Sequence, residues 1–156
     1  MRHLRTSLEK VDSKLINFMR RISLPFGRFA LFLVFFWFGI LKVFGTSPAN
    51  GLVSDLLHRT LPLITFEQFI VCFGIFEMLI GISFLIKGWE RFALALLFPH
   101  MITTFLPLIL LPQVTWQGPF TPTLEGQYII KNVLILALAF GLAIHMPHFH
   151  EKKVAL

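Results

Sequence analysis

An apolar stretch of membrane length, residues 69–86, carries a single carboxylate, Glu77, at its middle. At a helical rise of about 1.5 Å per residue, the segment 67–87 covers roughly 30 Å, which is the thickness of one bilayer core. An ionised carboxylate at that depth is costly, so such groups turn inward and find partners. Gly74 and Gly81 share the helical face of Glu77, and small residues let a second helix approach closely. The stretch therefore predicts a membrane helix whose carboxylate faces other helices.

The composition extends this prediction to the whole chain. Of its 156 residues, 56% are hydrophobic and 19 are phenylalanine, which is far from the average of soluble globular proteins. The single cysteine, Cys72, excludes an intramolecular disulfide and a CxxC redox motif. The formal charge of +6 comes mostly from residues that flank apolar runs, a pattern of membrane orientation rather than of nucleic-acid binding. The sequence predicts an integral membrane protein in contact with the lipid bilayer and no nucleic-acid partner.

Four apolar runs predict four membrane spans, at residues 25–45, 67–87, 91–111 and 127–146. The second and third are separated by a short turn and therefore form an antiparallel hairpin. Pro147 ends the fourth. The expected fold is all-α, an integral membrane four-helix bundle that occupies residues 25–146 as one domain.

Residues 1–24 are expected to form an amphipathic interfacial helix before the chain turns into the first span. Its apolar residues recur at steps of three and four, the helical period, and basic residues surround them. Such a segment lies on an anionic membrane face. A cleavable signal peptide is excluded, because no small-x-small site follows the next apolar run. The stripe consists of Leu4, Leu8, Val11, Leu15, Phe18, Met19 and Ile22.

Two connections lie at the opposite end of the spans. Ser47-Pro48 has the form of an N-cap followed by proline at the first helical position, and predicts a short outer helix that ends before Pro62. Residues 112–126 hold three prolines and Trp116. Because tryptophan prefers the membrane interface, we expect an ordered loop there.

Basic residues set the predicted orientation. Seven of the 14 Lys and Arg lie in the arm through Arg28, two lie in the 87–91 turn and two in the tail, residues 147–156. With four spans these eleven fall on one side, and the positive-inside rule places both termini in the cytoplasm.

Lysines within the spans are candidate partners of Glu77. Side chains tilt toward the N-terminus of their helix, so Lys42 on an outward-running span and Glu77 on an inward-running span lean toward each other. We predict a Lys42–Glu77 ion pair, with Lys131 and Asn132 lining an outward-facing polar vestibule. The alternative for each lysine is a snorkelling membrane anchor. For Glu77 a purely structural pairing is the alternative to a catalytic or transport role.

His100 lies on one face with Thr103 and Thr104, at the depth of Glu77. A Glu–His pair there would suit a proton relay or a hydrogen bond to a quinone carbonyl, because imidazole both donates and accepts near neutral pH. The alternative is a histidine bonded to a backbone carbonyl freed by Pro99.

Histidines near the C-terminus do not predict a metal site. Pro147 breaks the helix among them, so no regular spacing brings three to one side, and a solvated tail is expected. Bis-histidine haem is not expected either, because His145 does not share the depth of His100. The residues concerned are His145, His148, His150 and Glu151.

Three stretches resemble the DoxX-like membrane proteins, in particular their reactive-chlorine-resistance branch: Arg28 to Lys42, Gly74-Ile-Phe-Glu77 with Gly81, and Glu125-Gly-Gln-Tyr-Ile-Ile-Lys131. The resemblance implies a four-helix bundle of the bacterial inner membrane. Asn132 stands where the family often has an aspartate, which argues against a mechanism that needs a second membrane carboxylate. The resemblance implies that six residues occupy positions characteristic of the family: Arg28, Trp37, Gly39, Lys42, Glu77 and Lys131.

The resemblance further implies a redox or oxidative-stress-resistance protein with an intramembrane pocket for a quinone or another small molecule. Whether it is an oxidoreductase, or the membrane subunit of one beside a redox partner protein or further copies of itself, stays open. The alternatives are a non-catalytic assembly or scaffold subunit of a membrane complex and a small transporter. The expected catalytic residues are Glu77 and His100, and the expected ligand-binding residues are Lys42, Lys131, Asn132, Arg28 and Trp37.

Overall fold

The computed structural model describes residues 2–146, with side chains from residue 9 onward, and the expected tail at residues 147–156 lies outside this range. The described chain is mostly helical. In chain order its elements are α1 Arg2–Val43, α2 Asn50–Thr60, α3 Phe66–Leu85, α4 Glu90–Phe105, α5 Pro107–Leu110, α6 Pro112–Thr115, β1 Trp116–Gly118, β2 Thr121–Pro122, α7 Leu124–Lys131 and α8 Val133–Ala143.

Within residues 2–146, four helical stretches are long and apolar enough to cross a membrane, and this agrees with the predicted number. They are Glu9–Val43, Phe66–Leu85, Glu90–Leu110 and Leu124–Ala143. The second and third agree with the sequence prediction to within two residues at each end, because charged or polar residues bound both apolar runs sharply.

The first helix differs from the expectation of an arm that turns into the membrane. Helix α1 runs without a break through Pro25, so the amphipathic segment and the first span are one helix. A proline inside a helix removes one backbone hydrogen bond, and the apolar turns on both sides of it remain helical. The part of the apolar stripe whose side chains are described is exposed, from Val11 at 64% to Ile22 at 39%.

Helices α1 and α3 pack backbone against backbone. A Cβ atom added at Gly39 would lie 2.6 Å from the carbonyl oxygen of Gly74, and one added at Gly74 would lie 2.6 Å from that of Gly39. About two turns further along α3, a Cβ at Gly81 would lie 3.0 Å from the carbonyl oxygen of Phe32. The prediction that small residues beside Glu77 admit a second helix is confirmed, and that helix is α1.

The hydrophobic core is shared by the helices of all four spans. Helix α1 contributes Leu31 and Phe35, α3 contributes Ile80 and Phe84, α4 contributes Ala93, Leu97 and Met101, and α8 contributes Ala139 and Leu142.

The outer helix exists but begins later than predicted. Helix α2 starts at Asn50 after Ala49, and Ser47 is not its cap. The Ser47 hydroxyl instead accepts a hydrogen bond from the Ala49 amide at 3.3 Å, within the turn that leaves α1. A serine that precedes a proline is compatible with such a local turn as well as with the start of a helix. The end of α2 at Thr60, before Pro62, agrees with the sequence.

Residues 112–126 are ordered, as expected, but they contain a hairpin. Strands β1 and β2 pair antiparallel, and the Trp116 indole N–H donates to the Leu108 carbonyl at 3.0 Å. Thr123 caps α7 by accepting from the Gly126 amide at 3.1 Å. A Cβ at Gly126 would lie 2.1 Å from the Thr115 carbonyl oxygen, so only glycine permits this approach.

Two predicted spans are interrupted in the structure. The third passes from α4 to α5 at Leu106, where Pro107 has no N–H to donate to the preceding turn. The fourth passes from α7 to α8 at Asn132, which the sequence prediction placed inside one continuous helix.

Candidate functional site

Three helices bring three polar side chains together among apolar residues. Lys42 comes from α1, Glu77 from α3 and His100 from α4, and their residues are 4%, 5% and 5% exposed. We refer to these three residues as the triad. Polar groups buried this deeply need hydrogen-bonding partners, and the triad supplies them from within.

Both carboxylate oxygens of Glu77 are occupied. The Lys42 ammonium lies 2.7 Å from Oε2, and Nε2 of His100 lies 3.0 Å from Oε1. The predicted Lys42–Glu77 ion pair is present in the structure, as the opposite tilts of the two side chains require. The carboxylate thus joins the lysine of α1 to the imidazole of α4.

The second ring nitrogen of His100 faces a hydroxyl. Nδ1 lies 3.3 Å from Oγ1 of Thr104, and the same hydroxyl lies 2.9 Å from the His100 carbonyl oxygen. The Thr103 hydroxyl donates to that carbonyl at 2.7 Å. Both ring nitrogens therefore face side chains, and the alternative of a ring bonded to a carbonyl freed by Pro99 is wrong.

Three phenylalanines surround the imidazole. Phe73 stacks on it with a centroid distance of 5.2 Å and an interplanar angle of 7°, Phe35 meets it edge to face at 5.3 Å, and Phe76 lies at 6.1 Å. The Lys42 ammonium lies 5.6 Å from the Phe73 centroid. The Phe73 ring on α3 thus contacts both His100 and Lys42. The face of an aromatic ring attracts cations.

The sequence did not identify these rings as part of the site. Phe35 belongs to a phenylalanine-rich stripe, Phe32, Phe35, Phe36 and Phe38, a pattern typical of a lipid-facing and packing surface. Within it Phe35 is buried, at 3% exposure, whereas Phe38 is exposed. The sequence signal that could have identified Phe73 was its spacing, because Phe73 lies one helical turn before Glu77.

The other expected ligand-binding residues are not joined to the triad by any hydrogen bond or ion pair that the structure describes. Arg28 pairs with Glu90 at the start of α4. Trp37 is 59% exposed. Lys131 is exposed, with its ammonium 5.3 Å from the Tyr128 ring, and Asn132 lies at the break between α7 and α8.

Two open surface cavities are lined by residues outside the triad. One, of about 400 Å³, is lined by Glu9, Lys10, Ser13 and Lys14. The other, of about 320 Å³, is lined by residues between His58 and Glu67. The three residues of the triad are themselves almost fully buried.

Comparisons with protein-family models, with curated proteins and with solved structures find no match to this chain.

Among the side chains that the structure describes, those of residues 9–146, no group of three or more could hold a metal ion. Of the C-terminal histidine cluster, His148, His150 and Glu151 lie outside the described residues. The side chains of Lys42, Glu77 and His100 can exchange protons and stabilise charge.

Proposed function

We propose that this chain is a DoxX-like four-helix bundle of the bacterial inner membrane with both termini in the cytoplasm. The Arg28–Glu90 ion pair supports the orientation. It links the basic N-terminal part of α1 to the turn that holds Lys87 and Arg91, so the two most basic segments lie at one end of the helices. A bend of α1 at Pro25 would lay the exposed stripe against anionic lipid.

Cysteine labelling tests this orientation. In a Cys72→Ser background, we expect Thr60→Cys to react with a membrane-impermeant maleimide on spheroplasts, and Lys87→Cys to react only after the membrane is permeabilised. Both positions are exposed, so accessibility reports the side of the membrane. The reverse pattern would contradict the orientation.

We propose that the protein handles protons in a quinone-linked redox or oxidative-stress reaction. The observation that supports this most is the continuous series of polar contacts from Lys42 through Glu77 and His100 to Thr104, which is only partly buried. Reduction of a quinone consumes protons, and imidazole passes protons near neutral pH. Such a series connects a buried carboxylate to the surface of α4.

Each residue has a distinct role in this proposal. Lys42 pairs directly with the carboxylate of Glu77, Glu77 orients the ring of His100, and His100 exchanges the proton. A quinone carbonyl would meet the hydroxyls of Thr103 and Thr104 at the surface of α4. This places the ligand beside α4 rather than in the vestibule expected from Lys131 and Asn132.

Quinone binding tests the proposed function. With a short-chain ubiquinone analogue added to purified protein in nanodiscs, we expect a rise in unfolding temperature and a quinone-dependent absorbance change in the wild type, because a ligand that binds only the folded state stabilises it. Glu77→Gln should weaken both, whereas the exposed Glu125→Gln should not. Absence of both signals in the wild type would overturn the proposal.

A non-catalytic scaffold subunit is the second candidate. The buried and fully paired triad favours it, since a satisfied ion pair holds helices together without binding a ligand. This candidate would be supported over the first if a membrane partner co-purified stoichiometrically with both wild type and Glu77→Gln. The quinone signals would then also be the same in the two proteins.

A further inference from the structure

Thr104 is placed to serve His100 in two protonation states. Its hydroxyl oxygen lies 3.3 Å from Nδ1 and 2.9 Å from the His100 carbonyl oxygen. A hydroxyl has one proton to donate and lone pairs to accept with, and it rotates about its C–O bond. It can therefore donate to either atom, and it can accept from Nδ1 whenever it donates to the carbonyl.

With a neutral imidazole, every polar atom of the ring has a partner. Nε2–H donates to Oε1 of Glu77, and Nδ1 accepts from the Thr104 hydroxyl. The carbonyl oxygen of His100 still accepts a hydrogen bond from the Thr103 hydroxyl at 2.7 Å.

With an imidazolium, every polar atom again has a partner. Nε2–H stays on Glu77, Nδ1–H donates to Oγ1 of Thr104, and the Thr104 hydroxyl rotates to donate to the His100 carbonyl. Buried polar groups left without partners are costly, so a site that satisfies both states changes between them easily.

We propose that Thr104 is the gate through which the triad gains and loses a single proton, at Nδ1 of His100. This inference rests on the proposed proton-handling function and specifies its route. Water or a quinol gives a proton to Oγ1 while the hydroxyl's own proton moves to Nδ1. An O–H bond breaks in the donor, which becomes its conjugate base, an N–H bond forms, and the imidazole becomes an imidazolium. The reverse transfer returns the proton.

The charged groups around the ring are compatible with this exchange. Glu77 faces it from α3, and Lys42 from α1 contacts the other oxygen of that carboxylate and the same Phe73 ring. On α7, Lys131 lies over Tyr128 instead. The imidazolium would be held by the carboxylate and by the π face of Phe73.

Nitrogen-15 NMR of histidine side chains in nanodisc-embedded, full-length protein tests the gate, with the His100 signals assigned from His100→Gln. In the wild type we expect the neutral ring to carry its proton on Nε2 and the imidazolium to grow in as pH falls. In Thr104→Val, the imidazolium-to-imidazole ratio at a fixed pH should fall about tenfold or more, because the charged ring loses its acceptor at Nδ1.

Two variants control for a merely structural effect. Thr103→Val removes the neighbouring hydroxyl from the same carbonyl and should change the ratio by no more than about twofold. Thr104→Ser keeps the hydroxyl and should restore the wild-type ratio. Equal losses in Thr103→Val and Thr104→Val, a neutral ring protonated on Nδ1, or no imidazolium in the wild type would each overturn the gate. No quinone is added, so failure of the quinone experiment leaves this result intact.

Discussion

Replacing Lys42 with methionine is expected to lower the free energy of unfolding by about 3–5 kcal/mol, the cost of removing one partner from a buried ion pair. Methionine matches the length of the lysine stem, so packing against α3 is largely kept. Glu77 would then be buried with only His100 as a partner. Equilibrium unfolding by guanidinium or steric-trapping in bicelles would measure the change.

Two variants decide whether the loss comes from the pair. Adding Glu77→Gln to Lys42→Met removes the unpaired charge and should recover most of the stability, since uncharged replacements of buried pairs are often neutral. Lys131→Met removes an exposed lysine from a similar apolar helix and should change stability by no more than about 0.5 kcal/mol. If Lys42→Met behaves like Lys131→Met, the ion pair does not hold the helices together.

Gly74→Ala is expected to lower the free energy of unfolding by about 1–3 kcal/mol, the range for overpacking a close contact. The added Cβ would lie 2.6 Å from the Gly39 carbonyl oxygen and 3.0 Å from the Lys42 Cβ. Neither atom is the end of a flexible side chain, so α1 and α3 must separate. The separation would also lengthen the Lys42–Glu77 contact.

The matched control is Gly141→Ala in α8, where an added Cβ has nothing within 4 Å. Alanine favours a helix over glycine by up to about 1 kcal/mol, so this variant should be neutral or more stable. The two substitutions are chemically identical and are expected to act in opposite directions. Destabilisation of both to the same extent would contradict the close packing of α1 on α3.

Much of the site could be predicted from Glu77 alone. Its depth in an apolar run required a partner, the tilt of side chains along helices selected Lys42, and the depth of His100 made it the second candidate. Each of these inferences needs only the position of a residue in its own helix and the direction in which that helix runs. Both can be derived from the sequence.

Features that depend on packing between helices could not be predicted. The sequence places Pro25 at the start of a span, yet α1 continues through it because neighbouring turns keep their hydrogen bonds. Arg28 was expected to bind a ligand, but it meets Glu90, a partner 62 residues away in the chain. Phe35 and Phe73 enclose His100 only once α1, α3 and α4 are assembled, and the break at Asn132 has no proline to mark it.

The most direct test of the triad is a solid-state NMR measurement of dipolar coupling between lysine ¹⁵Nζ and glutamate ¹³Cδ in lipid bilayers. The Nζ–Oε2 distance of 2.7 Å predicts a strong coupling that persists in Lys131→Gln and disappears in Lys42→Gln. A coupling that is absent from the wild type, or that is lost in Lys131→Gln and retained in Lys42→Gln, would contradict the structure of the triad and the functions proposed for it.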